Sequence, residues 1–97
     1  MNVIFRLRNS EFEWDEEKYA VNLRKHNVKF ENAAEVFFDL FQQTGDASVM
    51  EEKRDYVVGY SFTEKLLLVV YVERGVRTRI ISARPVTPTE RKIYEES

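Results

Sequence analysis

Cysteine is absent from the chain, histidine occurs once, proline twice and glycine three times. Without cysteine there is no disulfide framework, no thiolate zinc site and no cysteine nucleophile, and the absence suits a reducing compartment. One histidine with no Asp-x-Asp and no His-Glu-x-x-His pattern leaves only scattered carboxylates as metal donors, so no metal site is expected. Neither Gly-x-Gly-x-x-Gly nor a Walker-type loop is present, so no nucleotide cofactor is expected. Long hydrophobic runs are missing too. Val3-Ile4-Phe5 is cut short by Arg6 and Arg8, and the apolar stretch Leu66 to Val72 has the length of a buried strand, far short of a signal core or a bilayer span. The expectation is a soluble, cytoplasmic protein with no membrane contact.

What is present suits a packed core. The 97 residues are 43% hydrophobic and 13% aromatic, enough for one domain over 1–97 and too few residues for two. Disorder is not expected at this composition.

The formal charge of −2 hides a polarised chain. Residues 1–52 hold six basic against eleven acidic side chains, a net of −5, whereas residues 53–97 hold nine against six, a net of +3. From Arg74 to Lys92 the count is six basic to one acidic. A local field of this kind recruits an anion whatever the total charge; ordinary surface solvation is the plainer reading of the same asymmetry.

Local patterns predict the order strand, helix, helix, strands, helix. Phe12 and Trp14 alternate with Glu11 and Glu13 as in a short strand. Asp15-Glu16-Glu17 then reads as an N-cap with two dipole-favoured acids, and Trp14 and Tyr19 stand at the positions of a hydrophobic staple. This first helix runs from Glu16 to about His26, with Asn27 as a left-handed terminator. Phe30, Ala33, Ala34, Phe37, Phe38 and Phe41 follow at helical spacing, a stripe read as core more readily than as base-stacking surface. Residues 42–52 have no clear period and read as a loop or an irregular edge strand. Arg54–Tyr60, Leu66–Val72 and Arg77–Arg84 are strand patterns joined by hairpin-length connections, hence an antiparallel meander. Thr87-Pro88-Thr89-Glu90 combines a capping box with proline at the first helical position. The class is α+β: an antiparallel β-sheet with two N-terminal helices and a short C-terminal helix packed against it.

The chemistry concentrates in the arginines. Strict alternation from Arg77 groups Arg77, Arg79, Ile81 and Ala83 on one face and Thr78, Ile80, Ser82 and Arg84 on the other. Arg77 and Arg79 then converge on one anion, with Arg54 joining from a neighbouring strand; a planar guanidinium suits phosphate, donating two parallel hydrogen bonds. The plainer alternative pairs each arginine with a carboxylate such as Asp55, Glu73 or Glu90. His26 and Lys25 end the first helix, where histidine serves either as a proton-transfer group beside a phosphate-binding lysine or as a cation capping the helix dipole.

Taken together, these residues resemble the BrnT toxins of bacterial type II toxin-antitoxin systems. The resemblance is carried by Phe12-Glu13-Trp14-Asp15, by Asn22-x-x-Lys25-His26-x-Val28-x-Phe30 and by Ala33 or Ala34 leading to Val36-Phe37. It continues through Arg54 with Val58-Gly59, Leu68-Val69-Val70, Glu73-Arg74-Gly75 and Arg79-Ile80-Ile81-Ser82-Ala83-Arg84, and ends with Glu90-Arg91 and Tyr94. It runs from about Glu11 to Glu95 and leaves residues 1–10 as an N-terminal extension. It implies a RelE-like ribonuclease fold and a toxin that cleaves RNA without metal, inhibiting translation and growth. It also implies a BrnA-like antitoxin encoded by the neighbouring gene, in a toxin–antitoxin heterotetramer that binds operator DNA through the antitoxin. Cleavage of this kind needs a base for the ribose 2'-hydroxyl, a cation for the charge on phosphorus and an acid for the leaving oxygen. On the matching positions, Arg54 and Arg79 take the electrostatic task, Lys25, His26 and Glu73 are candidates for proton transfer or positioning, and Arg77, Arg84 and Arg91 for binding RNA phosphate. The chain departs from the family where an Asp-Pro-Arg-His-like stretch is usual and Asp46-Ala47-Ser48-Val49-Met50 stands instead, and where Asn27 replaces a glycine. Other classes compatible with the residues are a catalytically degenerate antitoxin-binding module and a non-catalytic nucleic-acid-binding protein.

Overall fold

The computed structural model describes residues 1–97. One six-stranded sheet has the order β1-β2-β6-β5-β4-β3, formed by β1 (Asn2–Leu7), β2 (Ser10–Asp15), β3 (Gln43–Asp46), β4 (Asp55–Tyr60), β5 (Leu66–Arg74) and β6 (Arg77–Pro85). Helices α1 (Glu16–His26) and α2 (Phe30–Glu35) follow the first hairpin, and α3 (Pro88–Glu95) closes the chain. The expected meander is β4-β5-β6, antiparallel throughout. The sheet as a whole is mixed, however, because β2 lies parallel to β6. The chain reaches β6 only after crossing over through α1, α2 and three strands, and such a return delivers a parallel neighbour. Nor do the two helices come first: a hairpin precedes them, since β1 pairs with β2 over six residue pairs.

Helix ends follow their local signals. Asp15 accepts a hydrogen bond from the Lys18 amide at 3.0 Å, and Trp14 meets Tyr19 edge-on with ring centroids 5.7 Å apart. Asn27 ends α1 in the left-handed region at φ 55°, its amide donating to the Leu23 carbonyl. The capping box of α3 is complete in both directions between Thr87 and Glu90.

The core lies on one face of the sheet, where Phe12 and Trp14 of β2, Ile80 of β6 and Val69 of β5 pack against Phe30 and Ala33 of α2. Burying each of the larger side chains contributes roughly 1.5–3 kcal/mol. The helical stripe does not run its full length. After Glu35 the chain tightens into a 3-10 turn over Val36–Phe38, and Leu40 and Phe41 emerge 93% and 77% exposed. Asp39 causes the break: its carboxylate accepts from the Phe41 amide, the Tyr60 amide and the Tyr94 hydroxyl, tying the chain to the edge of β4. Residues 43–46 form the edge strand β3.

Helix α3 crosses the opposite, outer face, with Tyr94 edge-on to Tyr60 at 5.5 Å. Beyond α3 that face is open, and it carries the polar chemistry of the molecule.

Candidate nucleic-acid interface

A bulge in β6 decides which arginines share a surface. Val70 pairs with Ser82 but Tyr71 pairs with Ile80, so Ile81 is the extra residue and alternation restarts after it. Core-facing Ile80 is therefore followed by core-facing Ala83, three residues on. The expected grouping, with Arg84 on the face away from Arg77 and Arg79, is corrected by this re-phasing. Arg74, Arg77, Arg79, Ser82 and Arg84 all share the outer face with Leu68, Val70 and Val72, because residues opposite one another in the register point the same way.

The lower half of this face is an ion-pair network. Arg79 donates to Glu13 at 2.5 Å and to the Asn2 side chain at 2.8 Å, and Arg77 donates to Glu11 at 3.0 Å. Arg77 and Arg74 also approach Glu13, at 3.8 and 3.9 Å, and Arg6 closes on Glu11. Glu13 is 96% shielded from solvent, a buried carboxylate that three guanidinium groups compensate. Hydrogen bonds from Arg6 and then Arg77 hold the Glu11 carboxyl below the usual carboxylate range.

The upper half is a cleft of about 640 Å³ between α1 and β6. Leu68, Val70 and Ser82 form its floor, Lys18, Val21, Lys25 and His26 one wall, and Arg84 the other. It exists because β2 pairs with β6 only as far as Glu13 and Arg79, then turns away into α1. Asn22 fills the place that β2 vacates. Its side-chain amide donates to the Ala83 carbonyl at 2.8 Å and its carbonyl accepts from the Ala83 amide at 3.1 Å, the two bonds a neighbouring strand would have made. Both groups are buried, so this contact locks α1 and its last-turn Lys25 and His26 against β6.

Lys25 and His26 have no ion-pair or side-chain hydrogen-bond partner, whereas Arg84 is held by Glu90 through two hydrogen bonds of 2.8 and 2.9 Å. That contact, together with the Thr87 amide, lowers the Glu90 carboxyl to about 2 despite partial burial. Asp15 and Glu17 add two acids to the rim. Val70 and Leu68 keep the cleft floor apolar and Val21 adds an apolar side chain to the α1 wall, a combination with the charged side chains that admits a base or sugar together with its phosphate.

The remaining expected site residues stand elsewhere. Arg54 precedes β4 and pairs with Glu52 at 2.8 Å, its backbone bound to Ser48. Glu73 belongs to the opposite face from the arginines, paired across the sheet with Thr78, whose hydroxyl donates to it at 3.1 Å. Arg91, on α3, lies 3.8 Å from Glu95 and 3.4 Å from the Tyr60 hydroxyl. Thus Lys25, His26 and Arg84 come together, Arg77 and Arg79 lie next to them along β6, and Arg54, Glu73 and Arg91 do not join them. Reading the sequence missed Glu11 and Glu13 as the arginines' partners, although acids alternating with core aromatics were a signal, and it missed the clamp role of Asn22. No three His, Asp or Glu side chains are grouped as a metal would require.

The family model described as "Ribonuclease toxin, BrnT, of type II toxin-antitoxin system" matches residues 14–90. Among solved structures, the 1.1 Å crystal structure of the Brucella abortus ribonuclease toxin BrnT is similar in fold, with a TM-score of 0.57 at 19% identity over 76% of this chain and 92% of that one. No curated protein matches the sequence.

Proposed function

The chain belongs to the BrnT family of ribonuclease toxins of type II toxin-antitoxin systems, and from that premise we propose that it cleaves RNA in the cleft between α1 and β6. The observation that carries the proposal is the pair Lys25 and His26, unpartnered at the mouth of a cleft whose far wall is Arg84. His26 takes the proton of the ribose 2'-hydroxyl as that oxygen attacks the adjacent phosphorus. The bond to the 5'-oxygen breaks, leaving a 2',3'-cyclic phosphate and a 5'-hydroxyl. The Lys25 ammonium offsets the charge that develops on the phosphoryl oxygens and supplies the proton for the leaving oxygen. Arg84 orients the phosphate, and Arg77 and Arg79 bind the strand as it leaves the cleft. The reaction as written draws on no metal. Arg54, Glu73 and Arg91 take no part in this reading.

In the same proposal the fold is RelE-like, the protein acts in the cytoplasm by inhibiting translation, and a BrnA-like antitoxin neutralises it in a heterotetramer that binds operator DNA through the antitoxin. Induction of this chain alone in a bacterium is expected to arrest growth, and co-expression of the small protein encoded beside it to restore growth. Normal growth at verified soluble expression would overturn the toxin reading.

One observation favours a second reading, a non-catalytic antitoxin-binding module. Arg54, Arg77, Arg79, Arg84 and Arg91 each already have a carboxylate partner within 4.0 Å. Antitoxin binding without RNA cleavage would decide for it.

A further inference from the structure

The ion-pair network on the outer face is not balanced. Arg6, Arg74, Arg77 and Arg79 bring four positive charges to two carboxylates, Glu11 and Glu13, and no other acid is paired into the group. The surplus is graded by exposure: Arg79 is only 19% exposed at the centre, whereas Arg74 is 64% and Arg6 70% exposed at the margins. Buried Glu13 gathers Arg74, Arg77 and Arg79, and Glu11 gathers Arg6 and Arg77, so the exposed guanidinium groups are already held on one surface and stand ready for an outside anion without a large ordering cost.

We propose that this surface is a second RNA-backbone subsite, built by the N-terminal β1–β2 hairpin, in which Arg6 and Arg74 bind phosphates of the strand leaving the cleft. The proposal rests on the cleavage reading above. Two observations favour a polynucleotide. Arg77 and Arg79 are two residues apart on one strand, about 6.6 Å, close to the repeat of successive phosphates along an extended single strand. The same β6 face continues past the bulge into Ser82 and Arg84 of the cleft, so the two surfaces form one track. Arg6, Glu11 and Glu13 precede the residues matched by the family model, 14–90, whereas Arg74, Arg77 and Arg79 lie within them, so the start of the hairpin completes a surface that the matched segment begins.

The test is binding of a 12-nucleotide single-stranded RNA over a range of salt concentrations, by wild type and by the double variant Arg6→Ala/Arg74→Ala. Both side chains are exposed, so the variant is expected to fold. A second double variant, Lys29→Ala/Lys65→Ala, removes the same charge from exposed positions off this face. If the subsite exists, Arg6→Ala/Arg74→Ala weakens binding and lowers the slope of log affinity against log salt by about 0.7 for each phosphate that is no longer neutralised, while the lysine variant stays near wild type. Equal losses in the two double variants, or no loss in either, would overturn the subsite. So would a variant that keeps RNA binding but loses the antitoxin, which would assign the surface to a protein partner. Wild-type cleavage of the same RNA, run alongside, separates failure of the subsite from failure of the cleavage reading: RNA cut normally with an unchanged salt slope overturns the subsite alone.

Discussion

Asn22 and Ala83, separated by 61 residues, exchange two hydrogen bonds in which a side-chain amide imitates the backbone of a missing strand. That contact ties the middle of α1, the helix that carries the cleft-lining Lys18, Lys25 and His26, to β6. Asn22→Ala leaves a buried amide and a buried carbonyl unpaired and is expected to cost about 2–4 kcal/mol in denaturant unfolding. Asn22→Asp retains the acceptor but sets a carboxylate oxygen against the Ala83 carbonyl. It should cost at least as much, and an unchanged midpoint in either variant would refute the clamp.

Acid unfolding should report on Arg84 and Glu90. Hydrogen bonds from Arg84 hold the Glu90 carboxyl at about 2 in the folded protein, below its ordinary value of 4.5, so the stabilisation is fully present above about pH 4.5 and is lost as pH falls through about 2. Because the pair is partly open to solvent, the contribution is about 1–2 kcal/mol. Stability measured from pH 6 to pH 2 should therefore fall less steeply in Glu90→Gln, which starts lower, than in wild type. Parallel curves would contradict the assignment.

Gly59 leaves space for the turn that breaks the aromatic helix stripe. A Cβ there would stand 3.0 Å from both Val36 Cγ1 and the Asp39 carboxylate. Gly59→Ala is expected to destabilise by about 1–3 kcal/mol, read as a lower thermal midpoint. Asp39→Asn, which weakens the acceptor for Tyr60 and Tyr94 but adds no bulk, should cost less.

Local rules carried the reading of the sequence a long way. Asp15, Asn27 and the box at Thr87–Glu90 define helix ends by short-range chemistry, and β4 to β6 are legible from alternation and turn length. Three features were not, each for a non-local reason. The bulge at Ile81 is set by what lies across the sheet, and it moves Arg84 onto the arginine face. The parallel return of β6 beside β2 depends on the whole crossover, and only that neighbourhood pairs Glu11 and Glu13 with Arg77 and Arg79. The stripe through Phe41 ends early because Asp39 finds its partners on β4 and α3. Lys25 and His26 could be picked out from position alone, but their meeting with Arg84 across a cleft could not.

The most direct test of the central claim is the rate at which purified protein cleaves single-stranded RNA, compared among wild type, Lys25→Ala and His26→Ala, each checked for an unchanged unfolding midpoint. Loss of a proton-transfer group should lower the rate by about 100- to 10,000-fold, with cyclic phosphate and 5'-hydroxyl ends on the wild-type products. Wild-type cleavage that survives both substitutions at full rate would contradict a reacting centre between α1 and β6.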